Sequence, residues 1–132
     1  MFLQRCIPPT AAPIGWMALV YGCVGVISPG RRLEAFWSEL SEYFSAKHVY
    51  TVSSGKAALT LILTALASKD SRKEVIIPAY TCYSVPASIV RAGLTIKLCD
   101  IDPRTLDYDY DLLECMITHE TLCVISSNLF GI

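Results

Sequence analysis

Glu74-Val75-Ile76-Ile77-Pro78-Ala79-Tyr80-Thr81-Cys82-Tyr83-Ser84 holds the pattern on which the fold turns. Val75, Ile76 and Ile77 are apolar without alternation, the signature of a short strand covered on both faces. Such strands belong to parallel sheets, whose crossover helices lie on either side. Downstream, Ser84 to Ala92 reads as a helix with Gly93 as its C-terminal stop. Thr95 to Cys99 reads as a strand, Asp111 to Ile117 as a short helix and Leu122 to Ile125 as a further strand. Upstream, the polar break Ser68 to Lys73 separates the decisive strand from Ala57 to Ala67. That stretch is apolar almost all round and predicts a helix buried on several sides. Before it, His48 to Val52 reads as a first β-type run ending in Ser53-Ser54-Gly55. The alternation βαβαβαβ predicts an α/β fold, a mostly parallel sheet with helices on both faces and right-handed crossovers.

Further upstream, Leu33, Phe36, Trp37, Leu40 and Phe44 share one helical face from Arg31 onward, with Glu34, Ser38 and Glu42 opposite. Residues 1–30 read as an extended N-terminal arm and 31–132 as the domain. Ala11 to Ser28 is apolar, but Pro13, Gly15, Gly22, Gly25, Pro29 and Gly30 interrupt it. It is also shorter than the roughly 20 residues a membrane span needs, so no membrane association is expected.

The 132 residues are 53% apolar and 17% charged, too hydrophobic for a disordered chain. A mean hydropathy of +0.45 implies apolar surface covered by something outside the domain. Net charge is −1, with the basic residues scattered, which argues against a nucleic-acid partner. None of the six cysteines forms a C-x-x-C pair, and several lie in apolar runs, so buried reduced thiols in a cytoplasmic protein are expected. His48 and His119 stand apart from any close cysteine pair, so no metal site is expected. Asp107, Asp109 and Asp111 alternate like the opening of a calcium loop. Leu112 and Thr118 stand where that loop needs glycine and glutamate, and a capped, solvated turn is the expectation instead.

Ligands of open α/β sheets collect at the carboxyl ends of strands. After the first run stands Ser53-Ser54-Gly55-Lys56-Ala57-Ala58-Leu59: a serine at an N-cap position, a glycine that lets amides approach a ligand, and a helix aiming its positive end there. This reads either as a phosphate cradle or as an ordinary capped helix. A nucleotide P-loop is excluded, because Ala57 follows Lys56 and Tyr50 replaces the first glycine. The loop Tyr80-Thr81-Cys82-Tyr83 carries two rings, a hydroxyl and a thiol, suited to stacking on a flat heterocycle or simply to packing the rim.

These loops, together with Gly93, Asp100-Ile101-Asp102-Pro103 and Asn128-Leu129-Phe130-Gly131 in this order, resemble the DegT/DnrJ/EryC1/StrS aminotransferases from about Ile7 onward. The resemblance implies part of the large domain of a fold-type-I transferase dependent on pyridoxal 5′-phosphate (PLP). It further implies amino transfer, typically from glutamate, to a nucleotide-linked keto-sugar, and a homodimer. Ser54, Gly55 and Lys56 match the family's turn at the cofactor phosphate, with Lys56 replacing threonine. Cys82 matches the position whose aromatic ring usually covers the pyridine, leaving that role to Tyr83 or Tyr80; Thr81 stands beside it. Asn128 stands where many relatives carry histidine. The family's Asp and Gln partners of the pyridine and its Schiff-base lysine have no counterpart in residues 1–132. The expectation is that this polypeptide alone performs no transamination, with no catalytic residue of its own. A non-catalytic binding or structural remnant and a membrane-anchored protein are the alternatives.

Overall fold

The structure, a computed structural model, describes residues 14–27 and 29–127. It divides into two compact units, residues 1–51 and 52–132.

In the first unit, α1 (Trp16–Ile27) and α2 (Pro29–Tyr43) are helices. The arm expected to be extended is therefore helical from Trp16, with Gly22 and Gly25 inside the helix. A Cβ at Gly22 would meet nothing within 4 Å, and one at Gly25 would touch the Arg32 side chain at 3.6 Å. Helix α1 carries no buried residue: Trp16, Val26 and Ile27 are all more than two-thirds exposed. Arg32 joins α2 to α1, donating to the Tyr21 carbonyl at 3.2 Å and lying 5.5 Å from the centre of the Tyr21 ring. His48 to Val52, expected as the first strand, has no ladder partner and is irregular. Extended backbone becomes a strand only when a neighbour takes its hydrogen bonds, and among the described residues none does. Thr51 is tied instead to α2, its hydroxyl accepting from the Trp37 indole at 3.1 Å.

The second unit runs α3 (Gly55–Lys69), β1 (Glu74–Pro78), α4 (Ser84–Arg91), β2 (Thr95–Cys99), α5 (Tyr110–Met116) and β3 (Thr121–Val124). The three strands form one parallel sheet in the order β2-β1-β3. Strand β1 is central, and Val75, Ile76 and Ile77 are at most 1% exposed. Their side chains alternate between faces. Val75 and Ile77 join Leu63 of α3, Ile89 of α4 and Leu94, whereas Ile76 joins Cys99 and Tyr108, with Leu113 and Met116 of α5 against them. Helices therefore cover both faces, because the chain steps from β1 to β2 over one face and returns past β1 to β3 over the other.

Gly93 ends α4 with φ +73. Its N–H donates to Val90 O at 3.0 Å and that of Leu94 to Ile89 O at 3.1 Å, a Schellman arrangement in which Leu94 packs on Ile89. Across the amino edge of the sheet, Lys97 Nζ donates to Glu74 Oε1 at 3.1 Å and to Met116 O at 2.9 Å. The Thr121 hydroxyl donates to the same carboxylate at 3.2 Å, so one group ties all three strands.

Two expectations of burial are corrected. In α3 only Leu63 is buried, while Leu61, Ile62 and Leu66 are exposed, because only the face toward β1 and α4 meets the sheet layer. Of the thiols, Cys99 is buried and Cys123 partly so, but Cys23, Cys82 and Cys115 are exposed, lying on outward helix faces or in the loop after β1. Cys6 lies outside the described residues. No helix among the described residues is long and apolar enough to cross a membrane.

Candidate functional site

The strand order reverses beside β1, so the carboxyl ends of β1 and β3 flank the place where open α/β sheets receive ligands. Helix α3 runs back toward the amino edge and therefore starts at this carboxyl edge. Ser54, extended at φ −167 and ψ 161, is its N-cap, and its hydroxyl accepts from the Ala57 N–H at 3.2 Å. The Ala58 N–H reaches Ser54 O at 3.0 Å. The amides of Gly55 and Lys56 have no acceptor among the described residues. Of the three helical amides, Gly55, Lys56 and Ala57, that the start of α3 leaves without an intrahelical acceptor, two thus remain unspent at the positive end of a 15-residue helix. A Cβ at Gly55 would meet nothing within 4 Å, so the turn is open on its outer side. That openness is what an approaching anion needs; no steric contact within the chain demands a glycine there.

Lys56 faces α4. Its Nζ lies 5.8 Å from the centre of the Tyr83 ring, and its carbonyl accepts from the Ser88 hydroxyl at 3.2 Å. A groove of about 530 Å³ is lined by Lys56, Tyr83, Pro86, Ala87, Val90 and Arg91. A neighbouring one of about 450 Å³ takes in Ser53, Ser54, Lys56, Thr60 and Arg91. The turn at Gly55 and the loop after β1 are thereby joined through Lys56 and Tyr83, with Thr81 and Cys82 off both walls. A larger hollow of about 670 Å³ lies in the acidic loop Ile101 to Asp111, where Asp102 is already paired with Arg104 at 2.7 Å. Its carboxylates would repel an anion, and it plays no part in the site.

Thr81, partly buried, shares a hydrogen bond of 3.1 Å with the Ser127 hydroxyl, which spans the ends of β1 and β3. Cys82 is exposed. Its sulfur accepts from the Ser84 hydroxyl at 3.1 Å, and this bond, helped by the Ser84 amide, lowers the pKa of the thiol. Tyr83 is 80% exposed and Tyr80 58%, so both rings are largely open to solvent, with only the Lys56 ammonium standing over that of Tyr83. The structure thus brings Lys56 and Tyr83 together and pairs Thr81 with a residue not singled out from sequence. Ser127 lies two residues past the expected strand end at Ile125, and the carboxyl-end rule applied there would have found it. Asn128 lies outside the described residues. No group of His, Cys, Asp and Glu suited to a metal ion occurs among the described residues.

The model of the DegT/DnrJ/EryC1/StrS aminotransferase family matches residues 23–132. The chain belongs to that family. It is 33% identical over 107 residues to GDP-4-keto-6-deoxy-D-mannose 3-dehydratase of Yersinia pseudotuberculosis, covering 77% of this chain and 27% of the relative. It is likewise 33% identical over 106 residues to GDP-perosamine synthase of Caulobacter vibrioides, covering 80% and 28%. Among solved structures, a Streptococcus pneumoniae protein designated a sugar aminotransferase, in its PMP form, superposes with a TM-score of 0.81 at 30% identity, over 93% of this chain and 32% of that one. Escherichia coli GDP-4-keto-6-deoxy-D-mannose-3-dehydratase with bound hydrated PLP gives 0.76 at 25%, over 94% and 33%. The chain therefore spans about a third or less of each of these proteins. The similarity confirms the α/β class and its assignment to part of a fold-type-I domain.

Proposed function

We propose that this chain forms the phosphate-anchoring and ring-flanking part of a PLP-dependent aminotransferase that moves an amino group from glutamate to a nucleotide-linked keto-sugar. The observation that carries the reading is the pair of unspent amides, Gly55 and Lys56, at the positive end of α3 beside the loop of Thr81 and Tyr83. PLP, when bound, supplies an electron sink at the substrate carbon. The rest falls to the protein. Ser54 fixes the turn, the Gly55 and Lys56 amides and the α3 dipole hold the phosphate, and Thr81, paired with Ser127, offers a hydroxyl at the lip. Tyr83 flanks the ring. Cys82 stands where the resemblance expects an aromatic cover, and its small exposed thiol would cover less of a heterocycle than a ring does.

Such chemistry also needs an amine at the cofactor, and the five lysines of residues 1–132 are poorly placed to give it. Lys69 and Lys73 flank the amino edge of the sheet, and Lys97 is bound there to Glu74. Lys47 belongs to the other unit, and Lys56 rests against Tyr83 outside the β1–β3 lip. We therefore propose that residues 1–132 alone bind PLP reversibly and transfer no amino group. The complete enzyme is proposed to be a cytoplasmic homodimer.

A second reading has equal sequence support. Identity to the 3-dehydratase equals that to the perosamine synthase, so removal of a sugar hydroxyl on the same cofactor is the competing reaction. The test is titration with PLP followed by absorbance, then borohydride reduction and an assay with glutamate and a GDP-linked 4-keto sugar. Saturable binding without a trapped adduct or amino transfer is expected; turnover, or a reduced adduct on one of these lysines, would overturn the proposal.

A further inference from the structure

Pro78 creates a gap in the central strand. In a parallel ladder, a residue that donates to one carbonyl of its neighbour accepts from the N–H two residues further along. Ile125 donates to Ile76 O at 2.9 Å, so its own carbonyl is due a bond from residue 78. Proline has no N–H to give, which is why it is rare inside central strands. The Tyr108 hydroxyl fills the gap. It donates to Ile125 O at 2.6 Å and stands 3.4 Å from Ile76 O. Tyr108 is 4% exposed, and among the described residues Ile125 O has no other donor. Its burial against Cys99 and Ile76 raises the phenol's pKa and keeps the proton on the oxygen across the physiological range. Two residues past Ile125, Ser127 reaches Thr81 at 3.1 Å.

We propose that Tyr108 is a positioning residue: its hydroxyl replaces the ladder bond that Pro78 cannot make, and so holds the end of β3 where Ser127 meets Thr81 at the mouth of the site. This rests on the cofactor reading only in its effect on PLP. The structural part stands without it.

Two measurements separate the two parts. Amide hydrogen exchange in the ligand-free full chain should be faster at Ile125, whose N–H is bonded to Ile76 O, in Tyr108→Phe, by about fivefold for the loss of one net hydrogen bond, with α4 and β2 unchanged. Adding Pro78→Ala to Tyr108→Phe restores an N–H at position 78 and should return the slow exchange. Unchanged exchange in Tyr108→Phe, uniformly faster exchange across the unit, or failure of Pro78→Ala to rescue would each overturn the proposal. PLP titration should then show a several-fold weaker Kd for Tyr108→Phe, and no further weakening when Tyr108→Phe is added to Ser127→Ala. Equal losses in both backgrounds would refute positioning through Ser127. No binding by the unsubstituted chain would refute the cofactor reading, and the exchange data would still decide the role of Tyr108.

Discussion

Replacing Ser54 probes the helix start and the anion cradle together. Its hydroxyl takes the Ala57 N–H at 3.2 Å in an exposed setting, so Ser54→Ala frees a third amide of the first turn to water and is expected to cost about 1 kcal/mol. Ser54→Gly should cost only a few tenths of a kcal/mol, since glycine leaves room for water to reach the same N–H. For a unit of the size of residues 52–132, about 1 kcal/mol corresponds to a fall of roughly 4–8 °C in Tm. The assay is thermal unfolding by circular dichroism of the unsubstituted chain, both variants and Ser53→Ala as a control. PLP affinity should fall in Ser54→Ala, because the amides that hold the phosphate then sit on a frayed turn. Equal Tm values for Ser54→Ala and Ser53→Ala would refute the capping argument. A large loss of stability with unchanged PLP affinity would separate the cap from the cradle.

Three further outcomes follow from particular residues. Gly93→Ala places a side chain at φ +73 and should destabilise by about 1–2 kcal/mol in urea unfolding, although space is free around it. Iodoacetamide followed by peptide mapping should modify Cys82 well before Cys99 or Cys123. The Ser84 hydrogen bonds lower the Cys82 pKa, whereas burial raises the other two. Hydrogen bonds from Arg72 and Arg104 lower Asp70 and Asp102 from the ordinary 3.8 to about 2. A depressed carboxylate stabilises the fold above its unfolded value and loses that contribution as pH falls through its folded value. Stability should therefore decline between about pH 4 and pH 2, and Asp70→Asn should flatten that decline. A flat profile in the unsubstituted chain contradicts the pairing.

What the sequence discloses is what is decided locally. Val75 to Ile77 lack alternation because both faces of β1 are covered, and Gly93 marks a helix end because only its backbone adopts that geometry readily. The run His48 to Val52 has β composition, yet a strand exists only with a partner, and composition does not say whether one is within reach. The helical α1 was hidden by Gly22 and Gly25 within it and by Pro13 and Pro29 on either side in the sequence; helix propensity penalises such interior glycines but does not forbid them. Ser54, Gly55 and Lys56 were legible as a helix start. Tyr108 was not, since a tyrosine between two aspartates reads as solvated loop, and its burial depends on Pro78, Ile76 and Ile125 coming together from separate parts of the chain.

The claim on which the account depends is that the first-turn amides of α3 bind the cofactor's phosphate. Two-dimensional amide NMR of the isotope-labelled chain, titrated with PLP and separately with pyridoxal, which lacks the phosphate, tests it most directly. Saturable shifts largest at Gly55 and Lys56 are expected with PLP, and much smaller ones with pyridoxal. Shifts of equal size with both compounds, or shifts that leave Gly55 and Lys56 unmoved, would contradict it.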